Sequence, residues 1–244
     1  GLAWDTVFLT TDSYPILRVF VDWNGDAAKK FSVGKGTEQE PYEISNAKEL
    51  ALLAKTALED SGATEGKYYK LTTDIELNTA LDENSKPWYT SNTGVGFCGN
   101  FDGNGHTVSG IYISNTNHYG GLFYRVSAGA TIKNVGIVNS YINANLSGAL
   151  VGQIVDVASK TAIIENCYSD DTVTVQAKSC SGGIVGGTGG TTNVTNCYSL
   201  ANVSGAADKT GGILGNQWSK KLTVTGCYTT NAVICTGTWK SVIK

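Results

Sequence analysis

A five-residue line recurs at a fixed interval: Ile164-Glu165-Asn166-Cys167-Tyr168, Val194-Thr195-Asn196-Cys197-Tyr198 and Val224-Thr225-Gly226-Cys227-Tyr228. Successive cysteines are 30 residues apart. A unit of that size cannot bury its own apolar face, so its copies must stack on one another. Two weaker copies are read upstream, Ile132-Lys133-Asn134-Val135 and Val108-Ser109-Gly110-Ile111. A second line keeps step with the first: Gly120-Gly121-Leu122-Phe123-Tyr124, Gly148-Ala149-Leu150-Val151-Gly152, Gly182-Gly183-Ile184-Val185-Gly186 and Gly211-Gly212-Ile213-Leu214-Gly215. Its spacings are 28, 34 and 29 residues, as expected when turns absorb insertions and strands hold register.

Stacking the copies produces columns. Val108, Ile132, Ile164, Val194 and Val224 are all β-branched, which suits an inward strand position. Two residues later stand Gly110, Asn134, Asn166, Asn196 and Gly226. Glycine and asparagine tolerate left-handed backbone, so a corner belongs there, and stacked asparagine amides can bond along the axis. The next column is Ile111, Val135, Cys167, Cys197, Cys227. Cysteine replaces Ile and Val, so these thiols read as small buried hydrophobes. The column after that, Tyr112, Gly136, Tyr168, Tyr198, Tyr228, faces outward by strand alternation. Two readings stand for these tyrosines: braces between coils, which we favour, or an aromatic platform for a sugar or a protein.

The remaining composition fits this architecture. The 244 residues are 41% hydrophobic and only 16% charged, with 30 Gly and 3 Pro, which suits many short strands and tight turns and not disorder. The net charge of −3, with no basic stripe, argues against nucleic acid. No apolar run is long enough to span a membrane. The chain begins at Gly1 and contains no Met, which we read as an excised piece of a longer protein with neighbouring domains. No C-x-x-C pair exists, so no zinc site is expected. Whether Cys98, Cys180 or Cys235 form disulfides stays open.

Residues 1–33 lie outside the repeat and read as the tail of a preceding module or a linker. Residues 34–244 read as the solenoid, with a capping segment at 34–100. One helix is predicted at about 47–59: Asn46 caps it, Glu49 completes a capping box, and Leu50, Leu53, Ala54 and Ala57 share one face. A terminal coil needs such a cover, because it otherwise exposes core and an unpaired strand edge. Asn78 to Gly96 reads as a long loop, and Asp102-Gly103-Asn104-Gly105 as the turn where the coils begin. The fold class is therefore all-β, a parallel β-helix of about five coils of about 30 residues with a short N-terminal capping helix.

Chemistry is sparse. His106 and His118 are the only histidines, and both read as surface or turn residues. There is no H-E-x-x-H, nucleophile elbow or phosphate-binding loop. Asp22-x-Asn24-x-Asp26 resembles the start of a calcium loop, but Ala27 and Val33 stand where Gly and Glu belong, so an Asx turn is the better reading. Asp170 and Asp171 are adjacent and fall in a turn. A glycosidase or lyase needs convergent acids and bases, and few lie on the strand lines beyond Lys133 and Glu165. Catalytic residues, metal sites and cofactors are therefore all expected to be none.

The Gly-Gly-Ile-Val-Gly and Gly-Gly-Ile-Leu-Gly lines resemble the GLUG motif, which Asn-Cys-Tyr-Ser lines such as 166–169 and 196–199 accompany. The likeness runs from about residue 34 to 235 and takes in Pro41-Tyr42-Glu43-Ile44 and Phe101-Asp102-Gly103-Asn104-Gly105-His106. Similar repeats belong to adhesin-like bacterial surface or secreted proteins and to non-catalytic regions of bacterial immunoglobulin A peptidases. The resemblance implies a right-handed β-helix outside a bacterium and no reaction. The leading reading is an adhesin-like module, a rigid spacer that also binds a glycan or a host or extracellular protein, with the outward column Tyr112, Tyr168, Tyr198 and Tyr228 as candidate contacts. The alternative is a polysaccharide-active enzyme or an enzyme-associated carbohydrate-binding domain. The segment from Trp4 to Arg18 also resembles the tail of a preceding array.

Overall fold

The computed structural model describes residues 22–157, 160–205, 209–218, 221–231 and 233–235. The segment from Trp4 to Arg18 lies outside them. Among the described residues the chain winds into a parallel β-solenoid with four sheets. Sheet A holds Tyr42–Ile44, Tyr68–Leu71, Asn100–Asp102, Thr131–Lys133, Thr161–Glu165, Thr191–Thr195 and Leu222–Thr225. Sheet B holds Ile75–Glu76, Thr107–Ser109, Gly136–Val138, Tyr168–Ser169, Tyr198–Ser199 and Tyr228–Thr229. Sheet C stacks Tyr112–Gly120, Tyr141–Gly148, Thr174–Gly182, Asn202–Gly205 and Val233–Cys235, with Lys209–Gly211 also paired to Thr174–Gly182. Sheet D stacks Phe123–Ser127, Val151–Val155, Val185–Thr188 and Leu214–Gln217. The seven strands of sheet A mark six windings, one more than the sequence indicated, because the first passes through the helix.

Register is set by the inward positions. On sheet A, Ile132, Ile164, Val194 and Val224 lie above one another, and the first three are fully buried. The residue beneath Ile132 is Phe101, not Val108. Val108 instead pairs with Ile137 on sheet B. The shift has a local cause. Asp102 pairs with Lys133 and Thr107 with Gly136, so the lower corner has four residues where the next has two. Val108-Ser109-Gly110-Ile111 therefore sits on the next face of the coil, not in the column the sequence assigned it. Gly110 has a positive φ of 75°, but it lies level with Asn139, and its amide donates to the Asn139 carbonyl at 2.8 Å. Ile111 faces the core beside Ser140, whose hydroxyl accepts its amide at 3.1 Å.

The asparagine corner forms as read. Asn134, Asn166 and Asn196 have φ of 56°, 53° and 53°, and Gly226 ends the column at 65°. The Asn196 amide donates to Asn166 Oδ1 at 3.4 Å, Asn166 to Asn134 at 3.0 Å, and Asn134 to the Asp102 carboxylate at 2.9 Å. The Gly-Gly-hydrophobic line is also explained. It turns the chain from sheet C to sheet D, where backbone of adjacent coils meets directly. A Cβ on Gly186 would stand 2.5 Å from the Gly152 carbonyl oxygen, and one on Gly215 2.5 Å from the Gly186 oxygen. Only a residue without a side chain fits.

The helix runs Ala47–Glu59, and the Asn46 side chain accepts from the Glu49 amide at 3.0 Å. Glu49 does not close the expected box onto the Asn46 backbone. Its carboxylate is buried and accepts from the Ser45 amide and hydroxyl and from the Ser32 amide, each at 3.0 Å. Burial alone pushes its pKa up, but these donors hold it below the ordinary value. Leu50, Leu53, Ala54 and Ala57 face the core as predicted. Residues 22–33 pack on the same end: Trp23 is buried edge-to-face on Trp88 at 5.3 Å, and Phe31 stacks on Tyr42 at 4.6 Å. The long loop from Asn78 to Gly96 carries Trp88, whose indole donates to the Leu122 carbonyl at 2.9 Å.

Candidate functional site

Three of the four tyrosines singled out in the sequence come together. Tyr168, Tyr198 and Tyr228 are paired in register on sheet B. Their rings stack with centroids 5.0 Å apart at 6° and 5.2 Å apart at 10°. Tyr168 and Tyr198 are each followed by a fully buried serine. Ser169 is fully buried and donates its hydroxyl to the Gly183 carbonyl at 2.9 Å, with Ser199 Oγ also 2.9 Å from its oxygen. Tyr112 is not in this ladder. It lies on sheet C, paired with Tyr141, and the two rings stack at 5.8 Å and 26°. The corner insertion that displaces Val108 displaces Tyr112 as well.

The geometry limits what the ladder can do. A sugar ring packs on the face of an aromatic ring, and here faces are spent on neighbours. The underside of Tyr168 covers Gly136, where a Cβ would come within 2.6 Å of the phenol ring. Tyr198 has a ring on either side. Tyr168 and Tyr198 thus present edges and hydroxyls to solvent, while Tyr228, 53% exposed, stacks on one ring only among the described residues. Burial first, then the charges of Asp170 and Asp74, raise the Tyr168 pKa. Burial and the flanking phenols do the same for Tyr198. Both stay neutral donors at ordinary pH.

The cysteine column forms above Val135. The Cys167 amide points at Cys197 Sγ, and the Cys197 amide at Cys227 Sγ, each at 3.4 Å. Cys167 and Cys197 are buried and Cys227 half-buried. Cys98, Cys167, Cys180, Cys197 and Cys227 are free thiols; the Cys235 side chain lies outside the described residues. Burial pushes the Cys167 thiol up and that of Cys180 to about 11, so neither is a poised nucleophile.

The remaining polar residues do not converge. His106 Nδ1 lies 3.3 Å from Asp74, whose carboxylate also accepts the Thr107 amide at 2.8 Å. His118 is within the strand Tyr112–Gly120, not a turn, and meets Thr90 at 3.1 Å and Asn115 at 3.2 Å. The Asp22–Asp26 segment makes an Asx turn: the Asp26 amide donates to Asn24 Oδ1 at 3.1 Å, and Asn24 Nδ2 to Asp26 at 2.6 Å. Asp22 is directed elsewhere, onto the Thr79 amide at 2.7 Å. Asp170 accepts from the Thr172 hydroxyl within its turn. Among the described residues no group of three or more His, Cys, Asp or Glu is placed to hold a metal, and no helix is long and apolar enough to cross a membrane.

Sequence reasoning passed over a groove of about 510 Å³ on the outer face of sheet A, between Tyr68–Lys70 and Lys133. Its one visible signal was alternation in Tyr68-Tyr69-Lys70-Leu71, which sends Tyr68 and Lys70 outward while Tyr69 and Leu71 are buried.

The chain's likeness to known proteins agrees with this architecture. A crystal structure of a "putative immunoglobulin A1 protease" from Bacteroides ovatus superposes with a TM-score of 0.65 and 26% identity, covering 85% of this chain and 62% of that one. A "Putative Gly-rich membrane protein" of Evansella cellulosilytica is 29% identical over 126 residues, which is 51% of this chain and 14% of that protein. "Halomucin" of Haloquadratum walsbyi is 29% identical over 190 residues, 74% of this chain and 2% of its own length. The chain thus spans a small part of both sequence relatives. No protein-family model matches it.

Proposed function

We propose that the chain is a non-catalytic, adhesin-like module of a surface or secreted protein, acting as a rigid spacer that also presents a binding surface. The carrying observation is how its outward side chains are used. The tyrosines stack on one another, the corner asparagines bond along the axis, and Asp102 pairs with Lys133 at 3.4 Å. Bonds along the axis stiffen the stack in the direction a spacer must resist. The relatives support the setting: one is named a membrane protein, and the solved neighbour is named for immunoglobulin A1, an extracellular protein.

Spin labels at Asn100 and Thr223, four rungs apart in one outward column, test the spacer. They are expected about 19 Å apart with a narrow distribution. A broad distribution would refute rigidity. Release of new reducing ends from any polysaccharide in a panel would refute the non-catalytic assignment.

A further inference from the structure

We infer that the groove on the outer face of sheet A is a binding site for an uncharged oligosaccharide lying along the stack axis. The floor is two outward columns, Tyr68–Asn100–Thr131 and Lys70–Asp102–Lys133, one residue per rung. Each rung therefore offers one donor–acceptor pair about every 4.8 Å. One sugar unit of an extended chain is about as long as one rung, so a polymer laid along the axis meets the same spacing at each step.

Chemistry selects the class. The charged residues lining the groove are Glu38, Lys70, Asp102 and Lys133, two of each sign. Such a lining favours neither a polyanion nor a polycation, while its mixture of donors and acceptors suits hydroxyl groups. Tyr68 differs from the ladder tyrosines: it is half-buried, and its ring stacks on no other aromatic ring among the described residues. Lys70 likewise has no ion pair or side-chain hydrogen bond among the described residues. Asp102 Oδ1 is fixed by the Asn134 amide at 2.9 Å and the Asn104 backbone at 2.8 Å, and its Oδ2 lies 3.4 Å from Lys133 Nζ, so the carboxylate and the ammonium are held in place before a ligand arrives.

The wall is also built in advance. Glu38–Pro41 closes one side. It is held by the Lys35 amide on the Glu40 carbonyl at 2.9 Å, the Glu40 amide on Thr37 Oγ1 at 3.1 Å, and the Tyr68 amide on the Gly36 carbonyl at 3.1 Å. Gly34 and Gly36 turn with φ of 94° and 73°, and a Cβ on Gly34 would strike the Pro41 backbone. A wall fixed before binding spares the ligand the entropy of ordering it.

This site deepens the surface-module proposal and relies on it only for an extracellular ligand. The test titrates the full chain with uncharged β-linked hexasaccharides of glucose, mannose and N-acetylglucosamine, following backbone amide shifts by NMR. Hexagalacturonate and a Ser/Thr-rich decapeptide serve as the acidic and peptide arms. At least one neutral hexasaccharide is expected to move the amides of 68–70, 100–102 and 131–133. Tyr68→Ala is expected to weaken binding about tenfold. Lys70→Ala, which removes a half-buried side chain with no ion pair among the described residues, is expected to weaken it several-fold, and Tyr198→Ala to leave it unchanged. No neutral hexasaccharide moving those amides at millimolar concentration would overturn the inference. So would binding of the acidic or peptide arm alone, or unchanged affinity in both groove variants. Cleavage of a bound hexasaccharide would overturn the non-catalytic proposal and leave the groove standing. A correct spin-label distance without glycan binding would do the reverse.

Discussion

Replacing Tyr198 by alanine measures what the tyrosine ladder does. Tyr198 is the middle rung and loses two stacked partners, at 5.0 Å and 5.2 Å, whereas Tyr228→Ala loses one. Each near-parallel pair contributes about 0.5–1.5 kcal/mol beyond area burial, so the central substitution should cost about 1–3 kcal/mol and the terminal one about half that. In a solenoid such losses act between adjacent coils and lower the coupling that holds the stack together. Urea denaturation followed by far-ultraviolet circular dichroism reads the difference in midpoints. A double-mutant cycle between Tyr198 and Tyr228 isolates one stacked pair and should give a coupling of about 0.5–1.5 kcal/mol. Tyr198→Phe should be nearly neutral, because the ring does the bracing and not the hydroxyl. If Tyr198→Ala costs no more than Tyr228→Ala, or the coupling is near zero, the rings do not brace the coils.

Gly186→Ala should cost about 3 kcal/mol in thermal melts, because its Cβ would meet the Gly152 carbonyl oxygen at 2.5 Å and Ser147 backbone at 2.8 Å, and neither yields without breaking a ladder. Gly189→Ala is the control: its nearest neighbour would be 3.9 Å away, so a change within about 0.5 kcal/mol is expected, and equal losses at both sites would refute the close-packed corner. Acid should loosen the capped end through Glu49. Its folded pKa lies below the ordinary 4.5, so its stabilisation is present above that value and is lost as pH falls through the depressed folded value. Glu49→Gln should lower stability at neutral pH by about 2 kcal/mol and flatten the loss below pH 4.5; an unchanged acid limb would show that Glu49 does not drive it.

Periodicity made much of this fold legible. The helix, the asparagine corner, the column from Val135 to Cys227 and three of the four tyrosines follow from residues whose side chains meet their own kind one coil away. The first copy was misplaced for a physical reason. Val108-Ser109-Gly110-Ile111 has the same apolar, polar, turn, apolar order as the true rung, because the bend out of sheet B in this coil also sets a left-handed glycine between two buried residues. The rung beneath Ile132 carries Phe101, which continues an aromatic run with Tyr69 and Tyr42 below the β-branched part of the column, and its corner is two residues longer. The groove on sheet A was hidden because it joins residues from four separate segments, and no local pattern marks such a meeting.

The unequal corners have a consequence for how such chains diversify. The lower asparagine corner spans 103–106 where its neighbour uses 134–135, and both strands that flank it remain aligned. Growth or shrinkage at an edge of the prism is thus absorbed within one bend, leaving the lattice of amides above and below undisturbed. A lineage can ornament the vertices of this scaffold freely, and sheet C takes up differences of one and two residues in the same way, at a bulge between Ala144 and Leu146 beyond which Ser147 is back in register.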